Sequence, residues 1–493
     1  MATKVLSASL LGVEAVPIEV EVDLLARLPA VVIVGLPTSA VRESAERVRS
    51  AMEAAGEEFP RKRVVINLAP ADLRKDGTAL DLPMALGILT AAERIPERAA
   101  ASVLAAGELA LDGRLRPIRG ALSLAVTARD HDRVLVVPRA NAAQAAMVPG
   151  VTVWPADDLQ QVVRWLCAEE EPEVAHPAPA RPPPAAPDLR DVRGQHRARR
   201  ALEVAAAGGH HVLLMGPPGC GKSMLAQRLP SILPPLTFED ALATSRVHSA
   251  AGLLTDGGVV EQRPFRAPHH TVTVAGLVGD RRLRPGEIAL AHQGVLFLDE
   301  ASEFRRTALE VLRQPLEDGA LQITRAAGTI VFPAAITLVL ASNPCPCGHL
   351  GSPKPCVCSE TAVAAYRRRL SGPILDRIDL HVELTPVSPE ELLHGVPGEP
   401  SDGVRERVVA ARQRQHARGQ EVANARLDPD GLQRHAPLDD RARALLLKAS
   451  EVHGLSARST RRLHKVARTL ADLAGRAAIE ANDVAAAVAF RAR

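Results

Sequence analysis

Aromatic side chains are scarce in this chain. Phenylalanine, tryptophan and tyrosine make up 2% of 493 residues, and Tyr366 is the single tyrosine. That argues against gripping single-stranded nucleic acid by stacking bases on aromatic platforms. An excess of one charge is also missing, since 60 Lys+Arg face 57 Asp+Glu for a formal net charge of +3. This balance neither demands nor excludes nucleic acid, and any contact with DNA is expected to run from Arg and Lys to phosphates. Long apolar runs are absent: Ala30 to Val34 is among the longest, far short of the ~20 residues a membrane-crossing helix needs. Met1 to Gly12 lacks a basic region followed by a sustained apolar stretch, and Glu14 interrupts soon after. No signal peptide is expected. The expectation is a cytoplasmic, reduced protein without a membrane partner. Cysteine is sparse too, six in all, with Cys167 and Cys220 isolated and Cys345, Cys347, Cys356 and Cys358 clustered.

What is present is ample apolar material, 46% of residues, enough for several cores and roughly two to four domains. The cleanest boundary is a Pro/Ala-rich stretch without apolar period, residues 169–187, which reads as a stiff, extended linker. Before it, residues 1–168 mix strands and helices. Ile18 to Val22, Ala30 to Val34, Val64 to Leu68 and Val134 to Val137 read as strands, and Ser39 to Ala55 and Leu82 to Ala92 as helices. After it, His211 to Met215, Val295 to Leu298 and Ile336 to Ala341 are uninterrupted apolar strands with helices between them. That pattern implies an α/β domain whose parallel sheet is covered on both faces, over residues 188–385. Residues 386–493 read as all helical; Leu463, Val466, Leu470 and Leu473 recur at helical spacing behind Ser456, an N-cap candidate.

Gly216-Pro217-Pro218-Gly219-Cys220-Gly221-Lys222-Ser223 fits G-x-x-x-x-G-K-[ST] without a mismatch. Glycines let backbone N–H groups turn inward around phosphate oxygens; Lys222 then reaches the β- and γ-phosphates and Ser223 ligates magnesium. A strand precedes the loop and a helix starts after it, so the positive helix end faces the phosphates. Chance would rarely supply all three together. Val295 to Leu298 delivers Asp299 and Glu300 at its carboxyl end, where ligands bind in such sheets. Asp299 is expected to hold the metal and Glu300 to polarise the attacking water. The cofactors implied are ATP and magnesium. Asn343, at the end of the third strand, can orient that water; the other reading is a turn residue before Pro344.

These residues carry a family likeness. The chain resembles the magnesium-chelatase-like AAA+ family, the group that includes YifB and ComM, nearly end to end. The specific pieces are Asp191-Val192-Arg193-Gly194-Gln195, the phosphate loop, Arg266-Ala267-Pro268-His269-His270, the Asp299-Glu300 strand, Asn343-Pro344-Cys345-Pro346-Cys347-Gly348 and Leu375-Asp376-Arg377-Ile378-Asp379. The resemblance implies a P-loop AAA+ domain with a helical lid. It makes Asn343 a first sensor, Arg458 a second sensor and Arg377 a finger reaching a neighbouring subunit, with Gln195 among the nucleotide-binding residues. A finger supplied in trans makes hydrolysis depend on a ring, so a homo-oligomer, of hexamer size, is the implied partner. Without the resemblance, both arginines would read as surface ion pairs. The resemblance also implies a hairpin of Leu321 to Thr324 with Thr329 to Phe332 facing a pore. Arg325 at its tip becomes a candidate DNA contact, with Arg281, Arg282 and Arg284 weaker ones; a solvated basic face is the alternative.

The first domain resembles the α+β C-terminal domain of Lon proteases, through Lys75-Asp76-Gly77 and Gly107-Glu108-Leu109 to Arg116-Pro117-Ile118. By that likeness the serine position falls on Ala79 and the lysine position on Leu122, neither of which can attack a carbonyl or move a proton. Ser123 and Lys75 are the nearest substitutes. Cys345, Cys347, Cys356 and Cys358 supply four thiols that suit tetrahedral zinc. Their C-x-C spacing is tighter than the usual C-x-x-C, which leaves a metal-free loop as the other reading. The resemblance then favours a DNA branch-migration motor acting in DNA uptake and recombination. A magnesium-chelatase motor subunit is the alternative, and an ATP-dependent protease is disfavoured by Ala79 and Leu122.

Overall fold

The computed structural model describes residues 2–73, 75, 77–178, 186–254, 258–280, 283–325, 328–370 and 372–491. The N-terminal unit is built on nine strands: β1 (Thr3–Leu11), β2 (Glu14–Leu25), β3 (Ala30–Val34), β4 (Arg63–Ala69), β5 (Val103–Ala105), the small pair β6 (Glu108–Leu109) and β7 (Leu115–Arg116), β8 (Val134–Pro138) and β9 (Val153–Ala156). Seven of them form one sheet in the order β3-β4-β2-β1-β5-β8-β9. β1 with β2 and β2 with β4 are antiparallel, and the remaining pairs are parallel. Strict alternation directs β2: Ile18, Val20 and Val22 are fully buried while Glu19 stays in solvent. The helix Asp81–Ala91 is apolar all round and buried from Asp81 to Thr90, so it lies under the sheet rather than at its rim. Gly87 is needed there, because a Cβ would meet Val22 Cγ2 at 2.6 Å.

After the linker come β10 (Val212–Met215), β11 (Phe265–Arg266), β12 (Val295–Leu298), the hairpin β13 (Ala320–Arg325) and β14 (Gly328–Pro333), β15 (Thr337–Ser342) and β16 (Leu380–Glu383). Five strands form an all-parallel sheet in the order β11-β12-β15-β10-β16. Successive side chains serve opposite faces. Val212, Leu214, Phe297 and Val339 join one apolar cluster, and Leu213, Leu296, Leu298 and Leu340 the other. The first cluster also takes in Leu463, Val466, Ala467 and Leu470 of the helix Ala457–Leu473, so the C-terminal helices share a continuous core with the sheet. Ser456 caps that helix by accepting from Ser459 N.

The N-terminal unit docks on the second face. Val13, in the β1–β2 turn, belongs to the apolar cluster that holds Ile330 and Phe332 of the hairpin. Gly12 adopts φ +69° there, and a Cβ would strike Ile330 at 2.5 Å. Ser249 on the helix Phe238–Ala251 donates to Gln144 Oε1 at 3.1 Å, and its carbonyl accepts from Gly120 N at 3.2 Å. The hairpin register pairs Leu321 with Phe332 and Thr324 with Thr329.

Candidate nucleotide site

The phosphate loop links β10 to the helix Lys222–Ile232. Gly219 and Gly221 take φ of +78° and +92°, and a Cβ at either would meet nothing within 4 Å. The loop therefore needs glycine for its backbone shape, and the space in front of it is open. Lys222 Nζ donates to Gly216 O at 2.6 Å, Pro217 O at 2.9 Å and Asn343 Oδ1 at 3.0 Å. Burial lowers the Lys222 pKa, opposed by the charges of Asp299 and Glu300. Ser223 Oγ donates to Asp299 Oδ2 at 2.7 Å. β10, β12 and β15 thus deliver Lys222, Ser223, Asp299 and Asn343 to one end of the sheet, each by direct side-chain contact.

Glu300 follows Asp299 with φ +51°, a left-handed conformation that costs a non-glycine residue about 1–3 kcal/mol. Its N–H donates to Asp299 Oδ1 at 2.9 Å, and its carboxylate lies 3.3 Å from His270 Nδ1. His270 stacks on His269 with ring centroids 4.1 Å apart. His270 ends the Arg266 to His270 motif, four residues beyond β11, and nothing local in the sequence marks it as the partner of Glu300. Gln195, at φ +49°, donates to Cys220 O at 3.2 Å and Thr385 O at 2.7 Å, tying the loop to the end of β16. Cys220 is buried against the loop, and burial raises its thiol pKa.

Arg377 and Arg458 lie elsewhere. Arg377 lies three residues before the start of β16 and is 4% exposed. It donates to Pro373 O and Glu317 Oε1, both at 2.7 Å. Arg458 meets the same Glu317 oxygen. A buried network fixes this arrangement. Asp379 Oδ1 accepts from Arg462 at 2.9 Å, while Oδ2 pairs with His210 Nδ1 at 3.1 Å. His210 Nε2 in turn contacts Thr469 Oγ1 at 2.8 Å. Burial pushes the Asp379 carboxyl up, but the His210 hydrogen bond and the Arg462 charge outweigh it and hold the group below the usual carboxylate range. Arg462 sits one helical turn beyond Arg458, so this anchor sets Arg458 beside Arg377. Because β10 and β16 run parallel with Val212 opposite Leu380, His210 and Asp379 mark the sheet end opposite the phosphate loop, about 13 Å of strand rise away. Glu317, which joins the two arginines, carried no sequence signal.

The four clustered cysteines converge. Cys345 Sγ is 3.4 Å from Cys347 Sγ and 3.7 Å from Cys356 Sγ, with Cys347 and Cys356 3.6 Å apart. All four sulfurs, Cys358 included, lie within 4.8 Å of one another. A tetrahedron with Zn–S bonds of about 2.3 Å has edges of about 3.8 Å, so the donor set fits a metal of that size. Backbone N–H groups of His349 and Val357 lower the Cys347 pKa to about 6, while burial and the neighbouring thiols push Cys356 up to about 12 and Cys358 up as well.

Among the candidate DNA contacts, Arg281 and Arg282 lie outside the described residues. Arg284 faces Asp280 at 3.9 Å, and Arg325 closes the hairpin register opposite Gly328. In the N-terminal unit, Leu122 is fully buried, and Ala79 O accepts from Gly107 N at 2.8 Å. Ser123 donates to Val13 O at 2.5 Å and accepts from Arg246 Nε at 3.3 Å, so its hydroxyl is used at the docking surface. Lys75 is buried and donates to Pro70 O.

A phosphate loop, an acidic strand end and an asparagine at the next strand end on an all-parallel sheet, with helices packed beside it, define a P-loop ATPase of the AAA+ class. Family models agree: "Magnesium chelatase, subunit ChlI" matches residues 188–392, "Subunit ChlI of Mg-chelatase" residues 20–141, and "Magnesium chelatase, subunit ChlI C-terminal" residues 398–491. The protein YifB of Salmonella typhimurium is 43% identical over 98% of this chain and 95% of its own. Competence protein ComM of Haemophilus influenzae is 41% identical over 99% of this chain and 97% of its own. DNA helicase MCM8 of Gallus gallus is 25% identical over 36% of this chain and 18% of its own. The chain belongs to the magnesium-chelatase-like AAA+ family that includes YifB and ComM. No helix among the described residues is long and apolar enough to cross a membrane.

Proposed function

We propose that the chain is a ring-forming ATPase that remodels DNA, of the branch-migration kind, with each hydrolytic site shared between two copies. The observation that carries this reading is the division of the protomer. Lys222, Ser223, Asp299 and Asn343 meet at one end of the sheet, while Arg377 and Arg458 meet at the other. Neither end alone assembles phosphate cradle and cationic fingers, whereas two copies placed head to tail do. In this reading Lys222 neutralises oxygens of the β- and γ-phosphates. Ser223 and Asp299 would hold Mg²⁺, which supplies charge neutralisation when bound. Glu300 leaves His270, orients the attacking water and takes its proton, while Asn343 fixes the water's position. Arg377 and Arg458 of the next copy offset charge developing on the transferred phosphoryl group.

DNA as the substrate is favoured by the full-length similarity to a protein named for competence and the partial similarity to one named a DNA helicase. Arg325 at the hairpin tip and Arg284 are the proposed phosphate contacts, with Arg281 and Arg282 beside the latter. The N-terminal unit is proposed as a Lon-like domain without its dyad, serving binding or ring stability. The four cysteines are proposed to hold zinc next to Asn343. The test is the ATPase rate on branched, single-stranded and duplex DNA at several salt concentrations, beside mass measurement with a slowly hydrolysed nucleotide. Stimulation by branched DNA that weakens steeply with salt supports the reading. A motor that assembles yet ignores every DNA and responds to separate chelatase partners would instead be the metal-insertion machine.

A further inference from the structure

We propose that Glu317 is a positioning residue that holds Arg377 and Arg458 together as one two-pronged site for the phosphate oxygens of a nucleotide on a second copy of this chain. This deepens the shared-site reading above and rests on it.

Three separate parts of the chain converge on one carboxylate. Glu317 closes the helix Arg313–Asp318, Arg377 precedes β16, and Arg458 opens the helix Ala457–Leu473. Glu317 Oε1 accepts from Arg377 Nη2 at 2.7 Å and contacts Arg458 Nη2 as well. Two guanidinium groups this close repel each other, and a shared carboxylate offsets that repulsion while leaving one positive charge in surplus. Arg377 has a 5% exposed side chain, and its buried Nε makes no hydrogen bond among the described residues. Arg313 adds further positive potential: its charge lowers the pKa of Arg377 next after burial, and that of Arg458 after burial and the Arg462 charge. Its own partner is Glu310, at 3.1 Å. The anchor Arg462–Asp379 holds the lid side of the arrangement and Pro373 O holds Arg377, while Glu317 is the group that joins the two prongs directly. An oxyanion with several equivalent oxygens, such as the terminal phosphate of ATP, matches two guanidinium groups presented side by side.

An ion pair of no consequence for turnover is the competing account. The full-length protein separates the two. ATP turnover, KM for ATP, ring mass and melting temperature are measured for Glu317→Gln, Glu317→Asp, Arg377→Ala and the double variant Glu317→Gln/Arg377→Ala. Glu317→Gln is expected to lose about tenfold or more in kcat, the scale of a small misplacement of a reacting group. Its KM should stay within about twofold, because the phosphate loop that binds ATP is untouched. Ring mass should be unchanged, Glu317→Asp should regain part of the rate, and the double variant should be no slower than Arg377→Ala. Normal turnover in Glu317→Gln, beside an inactive Arg377→Ala, overturns the role of Glu317 and leaves the shared site standing. A rate loss that follows a fall in ring mass, or that adds to the Arg377→Ala loss, overturns it too and makes Glu317 a structural residue. Normal turnover in Arg377→Ala removes the shared-site reading and this inference together.

Discussion

The two ends of the five-stranded sheet are built on opposite principles. At the carboxyl end, the backbone turns through left-handed glycines, the acid Glu300 is strained, and polar groups lie beside open space. At the amino end, Asp379, His210, Arg462 and Thr469 are bonded to one another inside the protein. The first end is arranged to exchange partners, and the second to keep them. The helix that carries Arg458 is pinned at the closed end through Arg462 and Asp379, and Arg458 meets Glu317 there beside the buried Arg377.

The sharpest break of this contrast is Lys222→Ala, which should abolish nucleotide binding; tight ATP retention in a filter assay would remove the open end as a nucleotide site. Next comes Glu300→Gln, expected to bind ATP normally while turnover falls at least about a hundredfold. Unchanged turnover would free Glu300 from the mechanism. Arg377→Ala should likewise bind ATP and fail to hydrolyse it. Mixing it with Lys222→Ala should restore part of the activity, because some interfaces then pair an intact cradle with an intact finger. No recovery in mixed rings of confirmed composition argues that the two ends do not complement each other.

Smaller effects belong to the buried histidines. Burial depresses His211, His292 and His381 to about 4, below the unfolded value of about 6.5. The unfolded chain then binds more protons, so stability is fully present above pH ~6.5 and is lost as pH falls toward ~4, by at most about 3 kcal/mol per histidine. Melting temperature against pH should fall through that window; a flat profile would show these groups to be hydrated. Smallest is the cysteine loop. Replacing Cys356 with serine should lower bound zinc, measured by elemental analysis, and loosen the segment after Asn343. Equal metal content in both proteins would exclude the tetrathiolate site.

Legibility in the sequence tracked how local each feature is. The run Val295 to Leu298 coincides with β12, since four consecutive apolar residues suit a strand buried on both faces. The hairpin that pairs Leu321 with Phe332 was expected from the family resemblance, not from the residues alone. β5, with three residues, and β16, broken by His381, were too short or too mixed to stand out. Lys222 and Ser223 were legible as the end of the glycine loop that opens a helix, and Asp299 and Asn343 because each directly follows a strand. His270 was visible as a motif but not as the partner of Glu300. Glu317 was invisible, because its two partners lie 60 positions away and far beyond that.

By itself, the sequence determined the phosphate loop, the acidic strand end and the alternation of strand and helix that puts them on a parallel sheet. These depend on residue spacing and backbone conformation, which neighbouring residues control. Only the tertiary structure decided which charges face each other. The pairing of Arg377 and Arg458 on Glu317, the locking of the lid through Asp379, and the use of Ser123 at a docking surface all require distant segments to be packed against one another. Electrostatic partnership depends on distance and burial in space, and no local pattern encodes either.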